Sequence, residues 1–146
     1  MAKTDNITDI IGRIPLFHGL NKRQKKQLAT RFVSRSYKAG DKIVTQGKGG
    51  AGMFTILSGH AQAVLESADG GPTVVNTFGP GDFFGEIALL DEGPRTASVV
   101  ATEDTDVLIL NRPEFHAVMA NDAEMGLVIS QELARRIRTL IHSLGN

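Results

Sequence analysis

Cysteine is absent from the 146 residues, which excludes disulfides, thiol nucleophiles, iron–sulfur clusters and cysteine-type zinc sites. Tryptophan is absent as well, and with one tyrosine and seven phenylalanines the core must be mainly aliphatic. Charge of either sign is not in excess. Sixteen Lys and Arg balance sixteen Asp and Glu, which argues against a surface given over wholly to nucleic acid. No stretch approaches the roughly 18 apolar residues of a membrane span. The opening MAKTDNITDI is polar, and the apolar residues after it are interrupted by Gly12, Arg13 and Pro15, unlike a signal-peptide core. The expectation is a soluble, cytoplasmic chain. What is present is 41% hydrophobic and 22% charged residues with sixteen glycines, the profile of one ordinary domain with a single core and many tight turns.

Three zones differ in texture within the single domain expected over 1–146. Residues 1–33 carry a helical pattern: Ile7, Ile10, Ile11 and Ile14, then Leu16, Phe17 and Leu20, then Leu28 and Phe32, broken by Pro15 and Gly19. Asn21 suits an N-cap for a short helix over 22–32. Residues 34–111 turn to short β-branched runs between glycine-rich breaks, with candidate strands at 42–46, 53–58, 62–66, 73–78, 97–101 and 106–111. That spacing predicts an antiparallel β-roll of jelly-roll type rather than a βαβ sheet. Residues 112–146 are helical again, opening on Pro113 and Glu114. After Asn121 and Asp122, the stripe Met125, Ile129, Leu133, Ile137, Leu140 and Leu144 marks a long amphipathic helix. The fold class is therefore mainly β with N- and C-terminal helices.

Several motifs fail on inspection. Gly47, Gly49 and Gly52 match G-x-G-x-x-G literally, but a dinucleotide site needs a helix next, and Met53-Phe54-Thr55-Ile56-Leu57 reads as a strand. A flexible hairpin loop is the simpler reading. His18, His60, His116 and His142 are scattered, without the close pairs of a metal site. The segment 83–99, FFGEIALLDEGPRTASV, is different. Gly85 permits a turn and close approach of a ligand. The run from Glu86 to Leu90 is long enough for one helical turn, whose free N–H groups suit an anion. After a bend at 91–94, Arg95 supplies a planar fork for phosphate, and the small Thr96, Ala97 and Ser98 leave room. Glu86 can accept hydrogen bonds from a sugar hydroxyl. The segment reads as a clamp for a phosphate and a ribose.

It resembles the phosphate-binding cassette of the cyclic nucleotide-binding domain family, which includes the bacterial catabolite activator protein, cyclic-nucleotide-dependent kinase regulatory subunits and cyclic-nucleotide-gated channels. The family pattern F-G-E-[IL]-A-L followed by P-R-[TAS]-A-[ST]-V is filled without a gap. Ile14-Pro15-Leu16-Phe17 and Leu20 resemble the family's leading helices, and the stretch from Gly40 to Gly47 its G-x-x-I-x-x-Q-G hairpin. Phe54, Ile56 and Gly59, with Gly81 and Asp82, are also in place.

The resemblance implies a cyclic nucleotide sensor without catalysis, taking cAMP or cGMP as ligand and no catalytic cofactor. It places Arg95 on the exocyclic phosphate, Glu86 on the ribose 2′-hydroxyl, backbone groups of Gly85, Ile87, Ala88 and Ala97 around the phosphate, and Thr96 toward the base. Phe78, Val64, Leu133, Arg135 and Arg136 are candidate base contacts. It implies further that the C-terminal helix acts as a lid or as a seam for a homodimer or partner protein. The chain ends at Asn146, where the catabolite-activator branch continues into a helix-turn-helix, so no direct DNA binding by that module is expected. The loop after Gln46 and Gly47, acidic in many members, is here Lys48-Gly49-Gly50-Ala51-Gly52. Two other readings stand beside this one: an interaction module with a degenerate pocket, and a cupin-like metalloenzyme using the histidines. The segment 22–38 carries Lys22, Arg23, Lys25, Lys26, Arg31, Arg35 and Lys38 without an acid. With zero net charge and few aromatics, a solvated helix face is the expectation there rather than a nucleic-acid surface.

Overall fold

Pro15 and Gly19 divide the leading helical pattern as their chemistry requires. A computed structural model describes residues 3–48, 52–91 and 93–145. In it α1 (Lys3–Arg13) is followed by a 3-10 turn (Pro15–Phe17) and α2 (Lys22–Ala29). Asn21 caps α2 with a reciprocal pair: its side chain accepts from Gln24 N–H at 2.8 Å, while the Gln24 side chain accepts from Asn21 N–H at 2.9 Å. The helix stops three residues short of the expected end. Thr30 turns its hydroxyl back onto the Gln27 carbonyl at 2.8 Å, and the chain then runs extended from Val33. Asn21→Ala is expected to cost about 1 kcal/mol, read from urea unfolding, since it removes the side-chain acceptor of Gln24 N–H while the bond from the residue 21 N–H to Gln24 remains.

The chain divides into two compact units, one helical, made of residues up to Arg31 and from Pro113 on, and one β, Phe32–Arg112. The helical unit also holds α3 (Arg112–Asn121), from its second residue on, and α4 (Ala123–Gly145). Its interior is aliphatic: Ile7, Ile11, Ile14, Leu16, Leu20 and Leu28 are buried with Phe17 and Phe115, whose rings lie 6.3 Å apart. Asp122 breaks the two last helices and accepts from Met125 N–H at 3.1 Å, starting α4. Of the α4 stripe, Met125 and Ile129 are buried, whereas Ile137, Leu140 and Leu144 are more than half exposed.

Among the described residues the β unit contains eight antiparallel strands: β1 (Val33–Tyr37), β2 (Lys42–Val44), β3 (Gly52–Ser58), β4 (Ala61–Leu65), β5 (Thr73–Phe78), β6 (Phe83–Phe84), β7 (Ser98–Ala101) and β8 (Thr105–Asn111). They form two four-stranded sheets, β1-β8-β3-β6 and β2-β7-β4-β5. One core lies between them, with Phe54, Ile56, Phe84, Val107 and Ile109 from the first sheet and Ile43, Ala61, Ala63, Val99 and Ala101 from the second. The expected β-roll is present. Two of its strands escape the sequence pattern. The side chains of β1 are mostly exposed and polar, and β6 is only two residues long. The loop after β2 does not close a hairpin, because β2 and β3 belong to different sheets. It is a crossover, whose residues 49–51 lie outside the described residues.

Candidate phosphate-binding pocket

The cassette folds into a turn and a returning limb. Gly85 ends β6 in the left-handed region, φ 84° and ψ 14°, and starts a 3-10 turn, Glu86–Leu89. That turn is as short as its sequence suggested, with Leu89 buried beneath it and Ile87 half exposed. A Cβ at position 85 would collide with Arg95 Nη1 and lie 2.7 Å from the Gly52 carbonyl oxygen, so glycine is required for space as well as for backbone. Ala88 N–H donates to the Gly85 carbonyl at 3.0 Å and closes the turn.

Arg95 returns along the other side, half-buried. Its Nη2 donates to the Gly52 carbonyl, and its guanidinium lies 5.9 Å from the centre of the Phe54 ring. Phe54 stacks on Phe84 with centroids 5.1 Å apart, and Phe78 leans on Phe84 at the same distance. Among the described residues no hydrogen-bond partner reaches the buried Nε of Arg95. Burial pushes the Arg95 pKa below its ordinary value, yet a guanidinium keeps its charge at any physiological pH. A cation with a buried unused donor faces a cavity of about 340 Å³, within the range of small-molecule sites. Gly85, Glu86, Ile87, Ala88, Arg95, Thr96 and Ala97 line one side of it, and Val44, Ala63, Phe78, Phe84 and Val99 supply an apolar wall. Asp91, Gly93 and Pro94 complete the lining, while Glu92 lies outside the described residues.

The limb is held from behind. Ser98 is fully buried and donates to Glu66 Oε2 at 2.6 Å. That hydrogen bond, then the nearby Lys42 ammonium, holds the Glu66 carboxyl below the usual glutamate range. A depressed pKa contributes stability at pH above the ordinary glutamate value, and the contribution disappears as pH falls through the depressed one. Wild type is therefore expected to exceed Glu66→Gln in stability at pH 7, with the gap closing on acidification toward pH 3, as followed by denaturant unfolding at each pH.

The model of the cyclic nucleotide-binding domain matches residues 34–122. The chain belongs to the cyclic nucleotide-binding domain family. A cyclic AMP receptor protein of Thermus thermophilus is 36% identical over 124 residues, covering 85% of this chain and 57% of that protein. A cAMP-dependent protein kinase regulatory subunit of Colletotrichum orbiculare is 34% identical over 111 residues, 76% of this chain and 28% of its own length. The N-terminal domain of a transcriptional regulator from Streptomyces coelicolor superposes with a TM-score of 0.85 at 26% identity, covering 93% of this chain and 95% of that one. The chain thus spans little more than half of the receptor and under a third of the kinase subunit.

In this cyclic nucleotide-binding domain the seven cassette residues singled out from sequence come together at one cavity, and Phe78 joins them. Val64 does not line it: side chains alternate along β4, and the buried neighbour Ala63 faces the cavity instead. Leu133, Arg135 and Arg136 lie on α4 in the helical unit, where the two arginines border a separate groove with Glu132, Thr139 and Leu140. Sequence reasoning missed Val44, Phe84, Val99 and Asp91. Val99 shares a face of β7 with the buried Ala101, whereas β6 is too short for alternation to mark Phe84, and Val44 directly follows the buried Ile43. Asp91 carries no such signal. His18, His116 and His142 belong to the helical unit, and His60, in the β unit, lies 2.5 Å from Glu103 Oε2. Among the described residues no three His, Cys, Asp or Glu side chains gather to hold a metal, and no helix is long and apolar enough to cross a membrane. In the basic segment Arg23 pairs with Asp122 at 3.7 Å, Arg31 with Glu114 at 2.9 Å and Lys38 with Asp104 at 3.9 Å, while Arg35 covers the Tyr37 ring.

Proposed function

We propose that this domain is a cAMP sensor, a regulatory binding module without chemistry of its own. The observation that carries the reading is Arg95: a half-buried guanidinium with an unused Nε donor, opposite a tight turn, at the edge of a partly apolar cavity. A monoanionic cyclic phosphate matches that charge. In this reading Arg95 binds the exocyclic phosphate oxygens, and backbone groups of Gly85, Ile87, Ala88 and Ala97 surround them. The Ala88 N–H would then be shared between the phosphate and Gly85. Glu86 accepts from the ribose 2′-hydroxyl. The base rests near Phe78, with the Thr96 hydroxyl within reach of a purine edge, and Leu133, Arg135 and Arg136 are its candidate partners from α4. Two relatives are named for cAMP, which favours it over cGMP.

The output of such a sensor is a helix. The exposed Ile137, Leu140 and Leu144 suit α4 to a lid or to a seam with a second copy or a partner protein. The nucleotide can drive that change only through its different affinity for the two helix positions. Arg23, Arg31 and Lys38 of the basic segment are engaged by carboxylates of the domain itself, which fits a solvated helix face there. The test is calorimetric titration of protein stripped of nucleotide, with cAMP and then cGMP. Micromolar or tighter binding of cAMP, tighter than of cGMP, is expected. A reversed ratio makes Thr96 a guanine selector, and no binding of either leaves an interaction module with a degenerate pocket.

A further inference from the structure

Behind the phosphate limb lies a set of polar contacts that the cassette does not account for. The Ser98 hydroxyl is used twice, accepting from Gln46 N–H at 2.9 Å and donating to Glu66 Oε2 at 2.6 Å. Gln46 and Glu66 are joined again: Gln46 Nε2 donates to the Glu66 carbonyl at 3.1 Å, and Glu66 N–H donates to Gln46 Oε1 at 2.7 Å. Lys42 Nζ lies 3.3 Å from Glu66 Oε2 and completes the group. The chain leaving Gln46 then grips Arg95 by its backbone. Gly47 N–H donates to the Arg95 carbonyl at 2.8 Å, and Arg95 N–H donates to the Lys48 carbonyl at 2.9 Å. Hydrogen bonds and two short covalent steps therefore run without interruption from the Glu66 carboxylate to the Arg95 main chain.

Physically this is a lever. The Arg95 guanidinium sits at the end of a long, flexible side chain, so a small drift of its backbone becomes a large one at the phosphate, and a fraction of an ångström matters to a charged contact. Ser98 is fully buried, so its hydroxyl is costly unless both of its bonds are made. Glu66 is exposed just beyond the end of β4, where the fold itself asks for no particular acceptor. Its place at the end of this chain of bonds is what distinguishes it from an ordinary surface acid.

We propose that Gln46, Glu66 and Ser98 are positioning residues, a clasp that holds the Arg95 limb and thereby sets affinity for the nucleotide. The proposal rests on the reading of the cavity as a cyclic nucleotide site. It is tested by titrating cAMP into wild type, Ser98→Ala, Glu66→Ala and Glu66→Gln at pH 7, at a temperature where circular dichroism shows all four folded. Amide-proton exchange at Gly47 and Arg95 is measured alongside in the ligand-free proteins. Ser98→Ala and Glu66→Ala are expected to bind about tenfold more weakly, the loss of roughly one hydrogen bond, with faster exchange at both amides. Glu66→Gln keeps an oxygen for the Ser98 hydroxyl and is expected within about threefold of wild type, a rescue that loss of a surface charge would not show. Wild-type affinity in Ser98→Ala and Glu66→Ala overturns the clasp, as does an equal loss in Glu66→Gln and Glu66→Ala. Failure of wild type to bind removes the nucleotide reading and this role with it, and the exchange rates then show whether the contacts still order the limb.

Discussion

Arg95→Ala is expected to weaken cAMP binding by roughly 2–5 kcal/mol, a factor between about thirty and several thousand. The loss is large because the pocket offers the phosphate one half-buried cation, already fixed by the Gly52 carbonyl and the Phe54 ring before any ligand arrives. Stability should respond differently. Burial disfavours the charged form of Arg95, and its Nε has no hydrogen-bond partner among the described residues, so the ligand-free fold gains little from it. Removing the side chain relieves that burial while losing the Gly52 bond, two effects of opposite sign. The thermal midpoint of ligand-free Arg95→Ala is therefore expected within a few degrees of wild type, while the stabilisation conferred by added cAMP vanishes. Arg95→Lys restores the charge but not the planar fork, and should recover only part of the affinity. Calorimetry and thermal unfolding with and without nucleotide check all of these, and wild-type affinity in Arg95→Ala would remove the residue from the phosphate role.

The contrast between the cassette and its surroundings explains what could be read from the sequence. Gly85, Glu86 and Arg95 are legible because a short segment carries the whole turn, with a residue at each position whose chemistry is restricted. The break at Asn121 and Asp122 and the cap at Asn21 are legible for the same reason: one local hydrogen bond decides each. The crossover after β2 was not, because a glycine-rich loop looks the same whether it returns to its own sheet or passes to the other, and only the partners of β2 and β3 decide. β1 gave no alternation to detect, being mostly exposed. The clasp was hidden for a deeper reason. Gln46 and Glu66 are twenty positions apart, and Ser98 is thirty-two beyond Glu66, so their meeting depends on the pairing of β4 with β7. Of the α4 stripe, the pattern predicts an apolar face over its full length, but burial ends at Ile129. Amphipathic periodicity identifies a face that needs cover and leaves the cover unnamed.

Gly85→Ala should weaken binding by a different route, and Gly81 provides the comparison that isolates it. Both glycines hold positive φ, 84° at Gly85 and 89° at Gly81, so alanine at either carries a backbone cost of about 1–2 kcal/mol. Around Gly81 a Cβ would meet open space. At Gly85 the same methyl would press on the Arg95 guanidinium and on the Gly52 carbonyl that holds it. One of the two must move, and the side chain moves more cheaply than the strand. Gly81→Ala is therefore expected to lose about 1–2 kcal/mol of stability in urea unfolding while keeping its affinity for cAMP. Gly85→Ala should lose more stability than that and fall in affinity about as far as Arg95→Ala, because the guanidinium is displaced rather than deleted. In the double variant Gly85→Ala/Arg95→Ala the two losses of affinity should fail to add, since both act on one group. Additive losses would instead place the demand for glycine in the ligand's own approach to the backbone, with Arg95 a separate contributor.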